Sequence, residues 1–273
     1  MSLEVVVTGA SGFIGSALLN QLTKNNISAT GLSRQKASGL TTISSYLDWP
    51  SSKDAVLIHL AQPRDASNPS GGNEIELCRS LCSKSWRHIV YVSSSIVYGD
   101  NKEYRRRPNE KVTAVNEYAK VKLGCESIVT SAGGTCLRFA NVYGPGMAAN
   151  SVIADILGQI PGIGPLMVKD KIPIRDFIWI EDAVHCVVLA SVVRPGIILN
   201  VGSGTGITIG NLAELTLNLA GEETRPVVSK TNPGRSSHLV LDISQTQTIL
   251  NWSPEWNIAR GLSYLLKLKM SNE

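Results

Sequence analysis

The stretch Glu4-Val-Val-Val-Thr-Gly-Ala-Ser-Gly-Phe-Ile-Gly15 decides the fold. Val5–Val7 is a short β-branched run of the kind that forms a buried parallel strand. Gly9, Gly12 and Gly15 follow at three-residue intervals, and Phe13–Lys24 has the spacing of an amphipathic helix. Strand, glycine turn and helix together make a phosphate site. Gly9 lets the chain turn sharply and Gly12 lets backbone approach a pyrophosphate. That group then sits on the helix N-terminus, where free N–H groups and the macrodipole favour negative charge. The spacing G-x-x-G-x-x-G differs from G-x-G-x-x-G, and its place between a strand and a helix is what gives it weight.

Outward from this unit the pattern alternates. Strands are expected at Ser28–Leu32, Thr41–Leu47, Ala55–Leu60, His88–Val92 and Thr135–Phe139, and helices at Asn73–Trp86 and Thr113–Ser131. The link Gln35–Gly39 is too short for a full helix, so this part of the sheet is abbreviated. The βαβ rhythm argues for an α/β fold, a Rossmann-type doubly wound parallel sheet with helices on both faces. From Gly144 the pattern breaks into short pieces around Pro145 and Pro161–Pro165. Helices are expected there over Ser151–Ile160, Ala183–Val193, Ile209–Ala220, Ser244–Leu250 and Ile258–Leu268, with strands at Phe177–Ile180, Ile197–Val201 and Pro226–Ser229. The expected division is a dinucleotide-binding domain over 1–146 and a smaller C-terminal substrate lobe over 147–273, with elements from about 174–201 returning to the main sheet.

The bulk numbers set limits. A chain of 273 residues can form one large α/β domain, or one domain with a small lobe. The balance of 26 basic to 22 acidic residues is too mild to imply nucleic acid, and Arg105-Arg106-Arg107 reads as a solvated loop. Five cysteines without a C-x-x-C pair argue against a disulfide framework or a zinc site, so no metal is expected. No apolar run reaches 18 residues and no basic leader precedes the first apolar residues, so no membrane span and a cytoplasmic location are expected.

Chemistry gathers in the first half. Tyr118 and Lys122, four residues apart in the long helix, share a face, whereas Lys120 points elsewhere. Tyrosine is a poor base at its reference pKa of about 10, and a nearby ammonium stabilises the phenolate. Reaching neutrality takes about three units, or roughly 4 kcal/mol, which one lysine and a positive nicotinamide ring could supply together. Ser93-Ser94-Ser95 follow a parallel strand at its carboxyl end, where open α/β sheets bind ligands. A hydroxyl there can bond to a substrate oxygen while Tyr118 moves the proton.

The chain resembles an extended short-chain dehydrogenase/reductase, of the NAD(P)-dependent epimerase/dehydratase group that acts on nucleotide sugars. The likeness runs from Thr8 to about Leu265 and is carried by Thr-Gly-Ala-Ser-Gly-Phe-Ile-Gly at 8–15, His-Leu-Ala at 59–61 and Ser-Ser-Ser-Ile-Val-Tyr-Gly at 93–99. Tyr118/Lys122, Arg138-Phe-Ala-Asn-Val-Tyr-Gly-Pro-Gly146, Arg175-Asp-Phe-Ile and Asn200-Val-Gly complete it. The resemblance implies roles. Ser94, four before Tyr98, is the catalytic hydroxyl, with Ser95 as fallback beside the substrate. Tyr118 is the acid/base, and Lys122 holds both Tyr118 and the nicotinamide ribose. Gly9, Ser11, Gly12, Phe13 and Ile14 line the pyrophosphate, and Leu60 and Ala61 flank the ribose. Asn141 and Arg175 match positions that hold the substrate's diphosphate. His59 and Trp179 are more simply strand residues.

Departures narrow the reading. Members that eliminate water carry an acidic pair after the catalytic hydroxyl, where Ser95 and Ile96 stand here, so a dehydratase is not expected. A second arginine expected ten residues before Asp242 is replaced by Asn232, with Arg235 nearby as a substitute. The stretch Met147–Pro173 is shorter than in most relatives, which implies a smaller or more open sugar pocket. Strand two ends in Ser33-Arg34 in place of an acidic residue, which suits the 2′-phosphate of NADP over NAD. The expectation is a 4-ketosugar reductase or an epimerase of a nucleotide-linked sugar. Its rivals are an NADP-dependent reductase of a non-nucleotide carbonyl compound and a non-catalytic NADP-sensing protein. By analogy a homodimer is expected, through the Asn73–Trp86 and Thr113–Ser131 helices.

Overall fold

The structure, a computed structural model, describes residues 3–62, 71–232, 234 and 236–271. The first half runs β1 (Glu4–Thr8), α1 (Phe13–Lys24), β2 (Ser28–Ser33), β3 (Thr41–Thr42), β4 (Ala55–His59), α2 (Gly71–Cys82), β5 (His88–Ser94), α3 (Glu117–Ser131) and β6 (Thr135–Phe139). The second half runs β7 (Asn141–Tyr143), α4 (Val152–Gly158), β8 (Leu166–Val168), β9 (Ile174–Trp179), α5 (Ile180–Val193), β10 (Ile198–Val201) and β11 (Gly206–Thr208). It ends with α6 (Ile209–Ala220), β12 (Val227–Ser229), β13 (His238–Leu239), α7 (Ser244–Leu250) and α8 (Ile258–Ser271).

Seven strands form one parallel sheet in the order β10-β6-β5-β4-β1-β2-β3. Its central strands β1, β4 and β5 are largely apolar on both faces because helices cover both. Alternate residues separate cleanly. Val5, Val7, Val56, Ile58, Val90 and Val92 enter the core shared with Leu18 and Leu22 of α1 and Val184 and Val187 of α5. Val6, Leu57, Ile89 and Tyr91 enter the core shared with Cys78 and Leu81 of α2 and Cys125 and Val129 of α3. The period of two thus feeds two cores from one run, as a buried parallel strand must. The chain builds β2 and β3 on one side of β1 and then crosses to β4 on the other. The carboxyl ends of β1 and β4 therefore open a crevice at the switch point.

The second half adds a smaller sheet. β9 pairs parallel with β7 and β13 and antiparallel with β11, and β8 pairs with β12. Within 174–201, β9 belongs to this second sheet, α5 packs on α1 and β10 closes the edge of the main sheet.

Three expectations change. Thr41–Leu47 is not one strand: β3 stops at Thr42, and Tyr46–Asp48 is a 3₁₀ turn. Ser45 and Asp48 cap each other, with Leu47 N donating to Ser45 Oγ at 3.2 Å and Ser45 N to Asp48 Oδ2 at 2.9 Å. These local bonds satisfy the backbone that a ladder would otherwise use. The long helix begins at Glu117, not Thr113, because Asn116 caps it by accepting from Ala119 N at 2.8 Å. Within the arginine run, Arg106 is buried, not solvated.

Candidate active site

Gly9 turns with φ +70°, and a Cβ there would lie 2.8 Å from the backbone of Ala61. Only glycine fits both the left-handed conformation and the close approach. Gly12 caps α1 without a side chain, leaving the helix N-terminus open toward the crevice. Thr8 ties the two strand ends together: its Oγ1 meets His59 Nδ1 at 2.7 Å and accepts from Ala61 N at 3.3 Å. Ser33 Oγ donates to Ser11 Oγ at 3.1 Å and accepts from Gln35 N at 3.0 Å, bracing the glycine turn against the end of β2. Exposed Arg34 lays its guanidinium over the Tyr46 ring, 5.7 Å from the centroid.

The crevice holds about 800 Å³ and is walled by Gly9, Ser11–Gly15, Ser33–Gln35, Tyr46, Leu60–Gln62, Val92–Ser94, Tyr118, Phe139, Ala140 and Val142. Backbone cradle, open helix end and room for an extended molecule fit a dinucleotide. All the glycine-turn residues singled out in the sequence, together with Ser33, Arg34, Leu60, Ala61, Ser94 and Tyr118, come together here.

At the inner end of the crevice, Ser94 caps the 3₁₀ turn Ser95–Tyr98 by accepting from Ile96 N at 3.3 Å. Ser95 is buried within that turn and lines no wall of the crevice. Tyr118 donates toward Gln62 Oε1 at 3.5 Å. Burial and the carboxylate of Glu74 push the Tyr118 phenol up to about 12, and a bond from Ser94 opposes them weakly. The sequence reading had Lys122 holding that phenol down. Lys122 is instead fully buried behind the crevice wall, donating to Tyr91 Oη at 3.0 Å and Val92 O at 2.9 Å, with Glu74 Oε1 at 3.9 Å. Its Nζ lies 5.8 Å from the Tyr118 ring, and burial pulls its own pKa down to about 8.

A second cavity of about 440 Å³ adjoins, sharing Val142 with the crevice and lined by Asn141, Lys169, Asp170 and Arg175 among others. Asn141 Nδ2 donates to Asp176 O at 2.9 Å. Arg175 bonds Ser237 Oγ at 2.7 Å and Asp100 Oδ2 at 3.2 Å, so its fork is already oriented. Arg235 lies outside the described residues.

The sequence reading missed Gln62 and Glu74. Gln62 follows the His-Leu-Ala run directly, at the carboxyl end of β4, where side chains meet a ligand. Glu74, Cys78 and Leu81 stand at i, i+4 and i+7, a spacing that puts a carboxylate on the buried face of α2.

A doubly wound sheet with a glycine cradle at its switch point defines a dinucleotide-binding α/β enzyme. The comparisons with known proteins name its kind. Residues 5–202 match the NAD dependent epimerase/dehydratase family, and the chain belongs to that family, as an enzyme of the extended short-chain dehydrogenase/reductase type that uses a nicotinamide cofactor. It is 24% identical over 314 residues to the UDP-glucose 4-epimerase of Azospirillum brasilense, covering 96% of this chain and 90% of that one. It is likewise 24% identical over 300 residues to the dTDP-6-deoxy-L-talose 4-dehydrogenase (NAD(P)(+)) of Kitasatospora kifunensis, covering 96% and 94%. MoeE5, solved with UDP-glucuronic acid and NAD, shares the fold at TM-score 0.83 and 23% identity, over 99% of this chain and 100% of that one. Among the described residues no helix is long and apolar enough to cross a membrane.

Proposed function

We propose that this enzyme moves a hydride between nicotinamide C4 and a carbon–oxygen bond of a nucleotide-linked sugar, with Tyr118 transferring the hydroxyl proton. The observation that carries the reading is the meeting of Ser94 and Tyr118 in the same crevice as the Gly9–Gly15 turn. The cofactor would lie along the turn, its pyrophosphate on α1 and its ribose between Leu60 and Ala61, and would supply or accept the hydride. Ser94 orients the substrate oxygen, Tyr118 holds or gives its proton, and buried Lys122 fixes the Tyr118 side of the site. Asn141 and Arg175 would take the substrate's diphosphate in the adjoining cavity, where a planar fork suits paired phosphate oxygens. The names of the two relatives, each acting at C4 of a nucleotide-linked sugar, support that substrate class.

NADP is the proposed cofactor. Arg34, a cation next to the hydroxyl of Ser33, stands where a carboxylate would repel a 2′-phosphate. The protein should therefore bind NADPH more tightly than NADH, and then reduce a member of a panel of UDP- or dTDP-linked 4-ketosugars. Equal affinity, or a preference for NADH, sinks the assignment of Arg34. The epimerase reading is favoured by the Azospirillum relative. It would show as stoichiometric NAD released from the denatured protein.

A further inference from the structure

The cavity that adjoins the crevice has three charged side chains on its wall, Lys169, Asp170 and Arg175. Two of them are already engaged. Arg175 places Nη1 on Ile174 O at 2.9 Å and Ser237 O at 3.2 Å, and Nη2 on Ser237 Oγ at 2.7 Å and Asp100 Oδ2 at 3.2 Å. Asp170 accepts from Ile172 N at 3.0 Å and Gly234 N at 3.2 Å, and these backbone bonds hold its carboxyl below the usual range, so it stays ionised. Lys169 differs from both. Its carbonyl is pinned by Thr231, which donates from N at 3.1 Å and from Oγ1 at 2.7 Å. Its side chain is exposed to the cavity and enters none of the ion pairs among the described residues.

Charge decides what this cavity can accept. Arg175 and Asp100 cancel as a pair, and Asp170 adds a negative charge. Lys169 offsets that charge; without it the wall is net negative and repels a diphosphate. The resemblance led to a second arginine at 232, where Asn232 stands. Thr231 is the neighbour of Asn232, so the rung from Thr231 to Lys169 O brings a cation beside that position from across the β8–β12 pair. Lys171 cannot serve, because its Nζ is held by Val227 O at 3.3 Å.

We propose that Lys169 is the second cation of the diphosphate site and takes the place of the missing arginine. This rests on the role given to Asn141 and Arg175 above and deepens it. The Arg175 fork, held by Asp100 and Ser237, presents fixed donors to one phosphate, and the Lys169 ammonium on its flexible stem adjusts to the other.

The test is an NMR titration of the full chain with UDP, dTDP and the bare nucleosides uridine and thymidine, on wild type, Lys169→Gln and Lys169→Arg. Lys169 is exposed, so its variants keep the fold. K169Q should bind the diphosphate about tenfold more weakly than wild type, the effect of one charge-assisted contact at an open wall, and the matching nucleoside within about twofold. K169R should stay within about threefold of wild type, since either cation meets a phosphate oxygen. A K169Q protein that keeps the diphosphate within about twofold overturns the proposal. An equal loss for diphosphate and nucleoside also overturns it, by setting Lys169 against the base or ribose. Arg235→Gln runs alongside: a loss there with none in K169Q gives the second cation to Arg235 and overturns the proposal. Failure of the functional reading looks different. Wild-type protein that binds a nicotinamide cofactor but neither diphosphate removes the substrate class, and the role of Lys169 with it. Wild-type protein that binds neither NADPH nor NADH removes the hydride chemistry.

Discussion

Replacing Tyr118 by phenylalanine removes one oxygen at the inner end of the crevice and leaves its wall intact. Proton transfer by a positioned side chain is worth about 10²–10⁴-fold. Y118F should lose that much in kcat while its affinity for the nicotinamide cofactor changes by less than about twofold. Stopped-flow reduction and a binding titration check the two halves, and full turnover in Y118F would refute the mechanism. His59 bears on stability. Burial, and then the charge of Lys122, lower its pKa to about 3. Its Nε2 is buried without a hydrogen-bond partner. The unfolded chain binds a proton at about pH 6.5 that the fold refuses. Stability is therefore full above pH 6.5 and is lost as pH falls from there toward 3. This one group should remove about 2 kcal/mol by pH 5. His88, lowered to about 4 by burial, works in the same direction. Urea titrations at pH 7 and pH 5 should show a smaller loss in H59Q than in wild type, by about that amount.

At the level of the element, what could be read from the sequence depended on how much of each element's cause is local. β1, α1 and the glycine turn were legible because the Val5–Val7 run and the three glycines state their own geometry. The early end of β3 was not, since Ser45 and Asp48 compete with the ladder through side-chain bonds that no hydrophobic period records. The segment carrying three arginines was misread for a related reason: composition says basic loop, and only tertiary context says which guanidinium is inside. Arg106 enters because its Nε and Nη2 each lie 2.9 Å from Glu110 Oε2 and its Nη1 donates to Gly99 O at 3.2 Å. Its backbone meets the chain near residue 241, Arg106 N donating to Val240 O at 2.8 Å and Asp242 N to Arg106 O at 2.9 Å. The i,i+4 spacing to Glu110 was the one available signal. Arg106→Ala takes both guanidinium bonds from Glu110, which keeps the Arg107 N–H at 2.6 Å, and the donor from Gly99 O, and should cost about 2–3 kcal/mol in urea unfolding. R106K should recover only part of it, because an ammonium lacks the fork.

Across the whole molecule, the nucleotide-binding half and the second-half helices could be read from sequence, and several short second-half strands could not. The second-half strands β7, β8, β11 and β13 have two or three residues each, too few to show a period, whereas β12 falls within the expected strand Pro226–Ser229. Their places are set by pairing with distant partners. Asp176 on β9 is one of the links that hold them. It is fully buried and accepts from Ser203 N at 2.8 Å, Ser203 Oγ at 2.7 Å, Gly204 N at 3.1 Å and Leu241 N at 3.2 Å. Ser203 and Gly204 follow β10 of the main sheet and Leu241 follows β13 of the small one, so one carboxylate joins both sheets. Asparagine at this position turns one acceptor oxygen into an amine that must face a backbone N–H. A buried donor left opposite a donor should cost about 3 kcal/mol, which for a chain of this size lowers the Tm by roughly 6–12 °C. Because the carboxylate is shared, the loss should fall on both halves at once: D176N should still unfold in a single transition, with tryptophan fluorescence and far-ultraviolet circular dichroism coincident. Two separated transitions would show that the small sheet unfolds on its own and that Asp176 does not join it to the main one.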